Sequence, residues 1–102
     1  MSAVPDAEWF TSHTTGAPAR LRAQVLAYFN AAPAGPLTGR LAAAGDAALG
    51  AATAAGRGRA AALDLLAADA LITLALLATA ERSPATLADA AVALRHRTAG
   101  AA

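Results

Sequence analysis

The stretch from Arg59 to Arg82, RAAALDLLAADALITLALLATAER, runs without a proline or glycine and decides the fold. At 3.6 residues per turn, Leu63, Leu66, Leu71, Leu74 and Leu77 spread over one broad face of a helix. Leu65, Ile72 and Leu76 form a second stripe on the far side. Asp69 and Thr73, four residues apart, fall in the gap between the two stripes. A helix that is apolar nearly all round is covered on most sides. It is therefore expected to be the central helix of an all-α fold, or one that also meets a second copy of the chain through Leu65, Ile72 and Leu76. Its most apolar part, Ala70 to Ala80, is bracketed by Asp69 and by Glu81-Arg82. That is shorter than the roughly 18 to 20 uncharged residues a membrane span needs, so a buried core helix is expected.

Working outward, Gly56-Arg57-Gly58 breaks the chain before this helix, and Leu37 to Ala55 reads as another helix. Its large residues are Leu37, Leu41 and Leu49 only, and Gly39, Gly45 and Gly50 interrupt its alanines. Each interior glycine costs roughly 1 kcal/mol against alanine. Either these small residues let another helix approach closely, or they are drift in an alanine-rich chain. Upstream, Ala31 to Pro36 is a turn with two prolines and a glycine. A helix from about Pro18 to Asn30 or Ala32 places Leu21, Val25 and Tyr28 at i, i+4 and i+7. A first helix from about Pro5 to His13 carries Trp9 and Phe10, and Trp9, Phe10, Tyr28 and Phe29 are expected to form one aromatic cluster. Downstream, Ser83-Pro84 has the residues of an N-cap and a first helical position. The last helix should run to about Arg97 with Leu87, Ala91 and Leu94 inward, and residues 98–102 should fray. Short loops between five helices imply one domain over residues 1–102, a small antiparallel bundle or orthogonal array with helix 59–82 at its centre.

Composition sets limits on that core. Alanine makes up 35 of the 102 residues, which favours helix but supplies little apolar area to bury. There is no cysteine, so disulfides, thiolate metal sites and a thiol nucleophile are excluded. All eight basic residues are arginine, and the net charge is +1 with both signs dispersed. No footprint for nucleic acid or an anionic membrane emerges. The first residues, Met-Ser-Ala-Val-Pro-Asp, lack a secretion signal, and a cytoplasmic location is expected. The composition resembles that of short alanine-rich proteins from GC-rich bacterial genomes, and this likeness implies nothing about function.

Chemical motifs are sparse. Gly56-Arg57-Gly58-Arg59-Ala60-Ala61 has the loose form of a dinucleotide-binding loop, but that mechanism needs a strand before it, and a helix is expected there. Ser83 to Ala91 resembles the first helix of a bacterial helix-turn-helix. After Leu94 come Arg95-His96-Arg97 and a short tail, which leaves no recognition helix. Arg57, Arg59, Arg95 and Arg97 would make a basic patch if their segments met, giving weak, salt-sensitive nucleic-acid binding at most. Neither Glu8 nor Glu81 has a histidine three residues on, as a di-iron bundle requires. Asp64 and Asp69 point in different directions and make no catalytic pair. Neither a cofactor, a metal nor enzymatic activity is expected. Asp69, with Thr73, is the expected buried polar group. A buried carboxylate needs a partner, such as Arg20, Arg22 or Arg40, unless it sits at a wet edge beside Thr73.

The reading that follows is a self-associating or accessory interaction module. The alternatives are a bundle that binds a small apolar ligand near Trp9, Tyr28 and Phe29, and a weak nucleic-acid accessory acting through the arginine-rich loops.

Overall fold

The computed structural model describes residues 3–82 and 87–101. Five helices follow in order: α1 (Ala3–Thr14), α2 (Ala19–Ala31), α3 (Leu37–Ala55), α4 (Arg59–Arg82) and α5 (Leu87–Ala101). No strand occurs among the described residues. The chain is an all-α fold with α4 at its centre, packed against α2, α3 and α5. Both long helices have the bounds expected from the glycine and proline punctuation. Pro36 precedes α3, and at its other end Gly56 (φ 77°) and Gly58 (φ 107°) turn the chain into α4. Side chains rarely adopt these angles, so glycine suits this tight reversal.

α3 and α4 form an antiparallel hairpin and are the most closely packed pair. The seam on α4 is Ala61, Asp64, Ala68, Leu71, Ala75 and Ala78, all buried and spaced 3-4-3-4-3. Facing it on α3 are Leu41, Ala44, Gly45, Ala48 and Ala52. That spacing is the near-3.5 repeat that keeps one stripe against a partner helix. Small residues on both sides bring the backbones together. A Cβ on Gly45 would stand 3.0 Å from Ile72 Cγ1 and 3.5 Å from the Ile72 backbone nitrogen. Gly39 and Gly50, by contrast, face open space. Close approach thus accounts for one of the three glycines in α3.

This seam corrects the leucine-based reading of α4. Leu71 and Leu74 are buried and Leu63 is half-buried, but Leu66 and Leu77 are exposed. The face that meets α3 is chosen by how near the two backbones can come, and alanine permits the nearest approach. Apart from Leu71, the leucines of α4 therefore flank the seam instead of filling it.

The remaining core lies where α2 crosses the hairpin. Val25, Leu37, Leu41 and Leu71 are its most completely buried large side chains. Burying each stabilises the fold by about 1.5–3 kcal/mol. α5 contributes buried Leu94 and half-buried Ala91. It is helical to Ala101, past Arg97. The Thr98 hydroxyl donates to the Leu94 carbonyl at 2.9 Å. The expected Ser83 cap lies outside the described residues, and so does the side chain of Leu87.

Candidate functional site

Among the described residues, exposed large apolar side chains stand singly on α2 (Leu26) and α5 (Val92), and three of them share the outer face of α4. Leu65 and Leu66 each keep 55% of their surface exposed, and Leu77 keeps 38%. At 100° per residue, Ala62, Asp69, Thr73 and Ala80 run along the middle of this face. Ala62, Asp69 and Thr73 are exposed or nearly so, and Ala80 is half-buried. Leu65 and Leu76 border the line on one side, Leu66 and Leu77 on the other. Of the stripe expected to meet a partner, Leu65 is therefore free. Ile72 and Leu76 are half-buried and pack against the core, with Ile72 against Gly45.

Asp69 and Thr73 are not a buried polar pair. Both are exposed, and the Thr73 hydroxyl donates to the backbone carbonyl of Asp69 at 2.8 Å. The gap between two apolar stripes is the part of the helix that no neighbour covers, so it faces solvent. The buried acid is Asp64, on the α3–α4 seam. Its Oδ1 accepts from Gln24 Nε2 at 2.6 Å and from the Tyr28 hydroxyl at 2.8 Å, both from α2. Asp64 is thus satisfied by neutral donors, not by an arginine. The Tyr28 pKa is raised above its ordinary value of 10.0, first by burial, then by the hydrogen bond to Asp64 and the charge of that carboxylate.

The four aromatic residues do not form one cluster. Phe10 and Phe29 stack with centroids 4.3 Å apart, and the Arg40 guanidinium lies 4.2 Å from the Phe29 centroid. Trp9 stacks on His13 at 4.1 Å, and its Nε1 donates to Glu81 Oε1 at 2.9 Å. Tyr28 turns the other way, toward Asp64. Two of the four carry polar handles, and each handle follows its own carboxylate.

Shallow clefts adjoin the outer face of α4 and helix α1: Ala62 and Leu65 line one, Asp69 and Thr73 a second. One of about 420 Å³ at the tip of the hairpin is lined by Leu49, Ala52, Arg57 and Leu65 among others. Another, about 270 Å³, lies between α1, α2 and α4 and includes His13, Arg22, Asp69 and Leu74. A third, about 330 Å³, is lined by Phe10, Arg22 and Leu26 among others. Trp9, Tyr28 and Phe29 line none of these three.

Nor do the arginines form one patch. Arg57 and Arg59 sit at the hairpin tip, whereas Arg97 Nε approaches Asp46 Oδ2 at 3.9 Å, midway along α3. Gly56 lies ten positions after Asp46, roughly 15 Å at the α-helical rise. Arg95 and Arg97 belong to α5, which packs along α3 and α4, and this keeps the pairs apart. Among the described residues, no three His, Cys, Asp or Glu side chains converge as a metal site would require.

By length and composition, the 24-residue α4 is apolar enough to cross a membrane, with a mean hydropathy of 2.0 over its most apolar 18 residues. Two features count against that placement. Asp69 stands on its open face, where a carboxylate turned to lipid costs about 2.5–3.5 kcal/mol. Its opposite face is spent on α3. Compared with known protein families, curated proteins and solved structures, the chain matches none.

Proposed function

We propose that this chain is a non-enzymatic interaction module that pairs with a second copy of itself through the outer face of α4. The observation that carries the reading is the exposure of Leu65 and Leu66 at 55% each on the central helix of a core built largely from alanine. Small domains with thin cores commonly gain stability by association. How the polar groups are spent supports the non-enzymatic part. The hydroxyls of Ser12, Thr14, Thr53, Thr73, Thr79 and Thr98 donate to carbonyls of their own helices. Asp64 accepts hydrogen bonds from Gln24 and Tyr28 within the fold.

Light scattering coupled to size exclusion, run over a range of concentrations, tests the proposal. The expected mass is twice the 10.0 kDa of the chain. Leu66→Glu should weaken association roughly tenfold or more, since it replaces a leucine whose burial is worth about 1.5–3 kcal/mol. The far-ultraviolet circular dichroism of that variant should be unchanged, because Leu66 is outside the core. A monomeric wild type at every concentration overturns the proposal.

A further inference from the structure

The open face of α4 reads the same in both directions. Along it stand Ala62, Leu65, Leu66 and Asp69, then Thr73, Leu76, Leu77 and Ala80. The spacings are 3, 1, 3, 4, 3, 1, 3, a palindrome centred on position 71. The chemistry mirrors too: a small residue at each end, a leucine pair inside it, and a polar residue on each side of the centre. A face symmetric about its midpoint fits a two-fold axis crossing the helix there, because such an axis brings residue i against residue j and j against i.

Resting on the self-association proposed above, we infer that the two copies pair antiparallel, with α4 against α4 and the two-fold axis at position 71. Leu65 then meets Leu76 of the second copy on one flank, and Leu66 meets Leu77 on the other. Each pair lies on the same side of the mid-line, so four leucine contacts form without a gap in register. Ala62 faces Ala80 of the second copy, and these small residues let the helix ends come together.

Asp69 faces Thr73 of the second copy. The Thr73 hydroxyl has one proton, now donated at 2.8 Å to the backbone of its own helix. On pairing it turns to the opposing carboxylate, exchanging one hydrogen bond for another that is charge-assisted. The two Asp69 carboxylates are offset by four residues, about 6 Å along the axis at the helical rise. Arg22 lines the same cleft as Asp69 and supplies a nearby positive charge. A parallel pairing loses all of this. It sets Asp69 directly against Asp69 and Thr73 against Thr73.

The chain has no cysteine, so single introduced thiols report position without background. Ala62→Cys and Ala80→Cys are made separately, one with a mass tag, and treated with a short bismaleimide alone and mixed. Antiparallel pairing predicts a cross-link chiefly in the mixture, between Cys at 62 of one copy and Cys at 80 of the other. Each variant alone should link poorly, because identical positions then lie roughly 27 Å apart along the axis. If wild type is dimeric but Ala62→Cys links to itself, the pairing is parallel and this inference falls while self-association stands. A dimer that links in neither case uses another face, which also overturns it. A monomer overturns both readings.

Discussion

The α3–α4 hairpin and the α1–α2 corner hold together by opposite means. In the hairpin, Ala44, Gly45, Ala48, Ala68 and Ala75 leave so little between the helices that a single methyl on Gly45 would touch Ile72. In the corner, among the described residues, no other helix approaches the α1 backbone extensively. Long side chains bridge the space: the Phe10–Phe29 stack, Trp9 to Glu81, and Asp6 to Arg82 at 3.0 Å. An alanine-rich chain has two ways to bury its backbone, by closing the distance or by concentrating its few large residues where it cannot. Here each is used once. The hairpin should therefore behave as one unit with the global fold, and α1 as a latch that opens by itself.

Phe10→Ala is the strongest test of that division. Truncating a buried phenylalanine costs about 3–5 kcal/mol. Because Phe10 holds α1 to α2, hydrogen exchange should show α1 amides losing protection while α3 and α4 keep most of theirs. Equal loss across all helices would mean that the corner and the hairpin unfold together, and the contrast would fail. Gly45→Leu probes the other side. Its added side chain has nowhere to go but into Ile72 and Leu71, and overpacking of this kind costs about 1–3 kcal/mol or more. Here protection should fall in every helix at once, since the tightest contact belongs to the central pair.

Where the corner meets the hairpin, Tyr28 and Gln24 reach across to Asp64. Tyr28→Phe removes one of two donors from a buried carboxylate, a loss of about 1–3 kcal/mol in urea unfolding at neutral pH. Its pH dependence has a definite sign. The Tyr28 pKa is raised in the fold, so its stabilisation is complete below the ordinary value of 10.0 and is lost as pH rises through the folded value. With no lysine or cysteine and a single tyrosine, no other side chain has an ordinary pKa between about 9 and 12. Wild type should lose stability above about pH 10, and Tyr28→Phe should lose much less. Parallel alkaline limbs in the two proteins would show that Tyr28 titrates alike in the folded and unfolded chain.

Much of the fold was legible because its punctuation is local. Glycine and proline act on the residue where they stand, so the bounds of α3 and α4 followed from sequence alone. Helix period also placed Asp69 and Thr73 in a gap between stripes. What it could not say is whether a neighbour fills that gap, and the gap is solvent. Asp64 was missed for a related reason. Its neighbours on the seam are Ala61, Ala68 and Leu71, and a pattern weighted by leucine passes over a face made of alanine. The signal was present as the 3-4-3-4-3 spacing of small residues, which marks the closest helix contact without a large side chain. The aromatic residues misled in the same way. Adjacent bulky residues suggest a cluster, yet Trp9 and Tyr28 each have a polar atom that selects a distant acid, Glu81 and Asp64, and only tertiary structure shows where those acids lie.

The glycines of α3 give the smallest effect and the sharpest control on the comparison. Gly50 sits mid-helix with nothing within 4 Å of the point where a methyl would stand, so Gly50→Ala removes the entropic cost of glycine and adds no contact. It should raise stability by about 1 kcal/mol. Gly45→Ala gains the same propensity, but its methyl arrives 3.0 Å from Ile72 Cγ1. Ile72 is β-branched and stiff at its first side-chain torsion, so it gives way poorly. Most of the gain should therefore be cancelled. Urea midpoints of the two variants, measured side by side, separate propensity from packing at positions five residues apart on one helix. If both substitutions stabilise equally, Ile72 has room to move, and the hairpin is held by accumulated alanine burial and not by a close approach at Gly45.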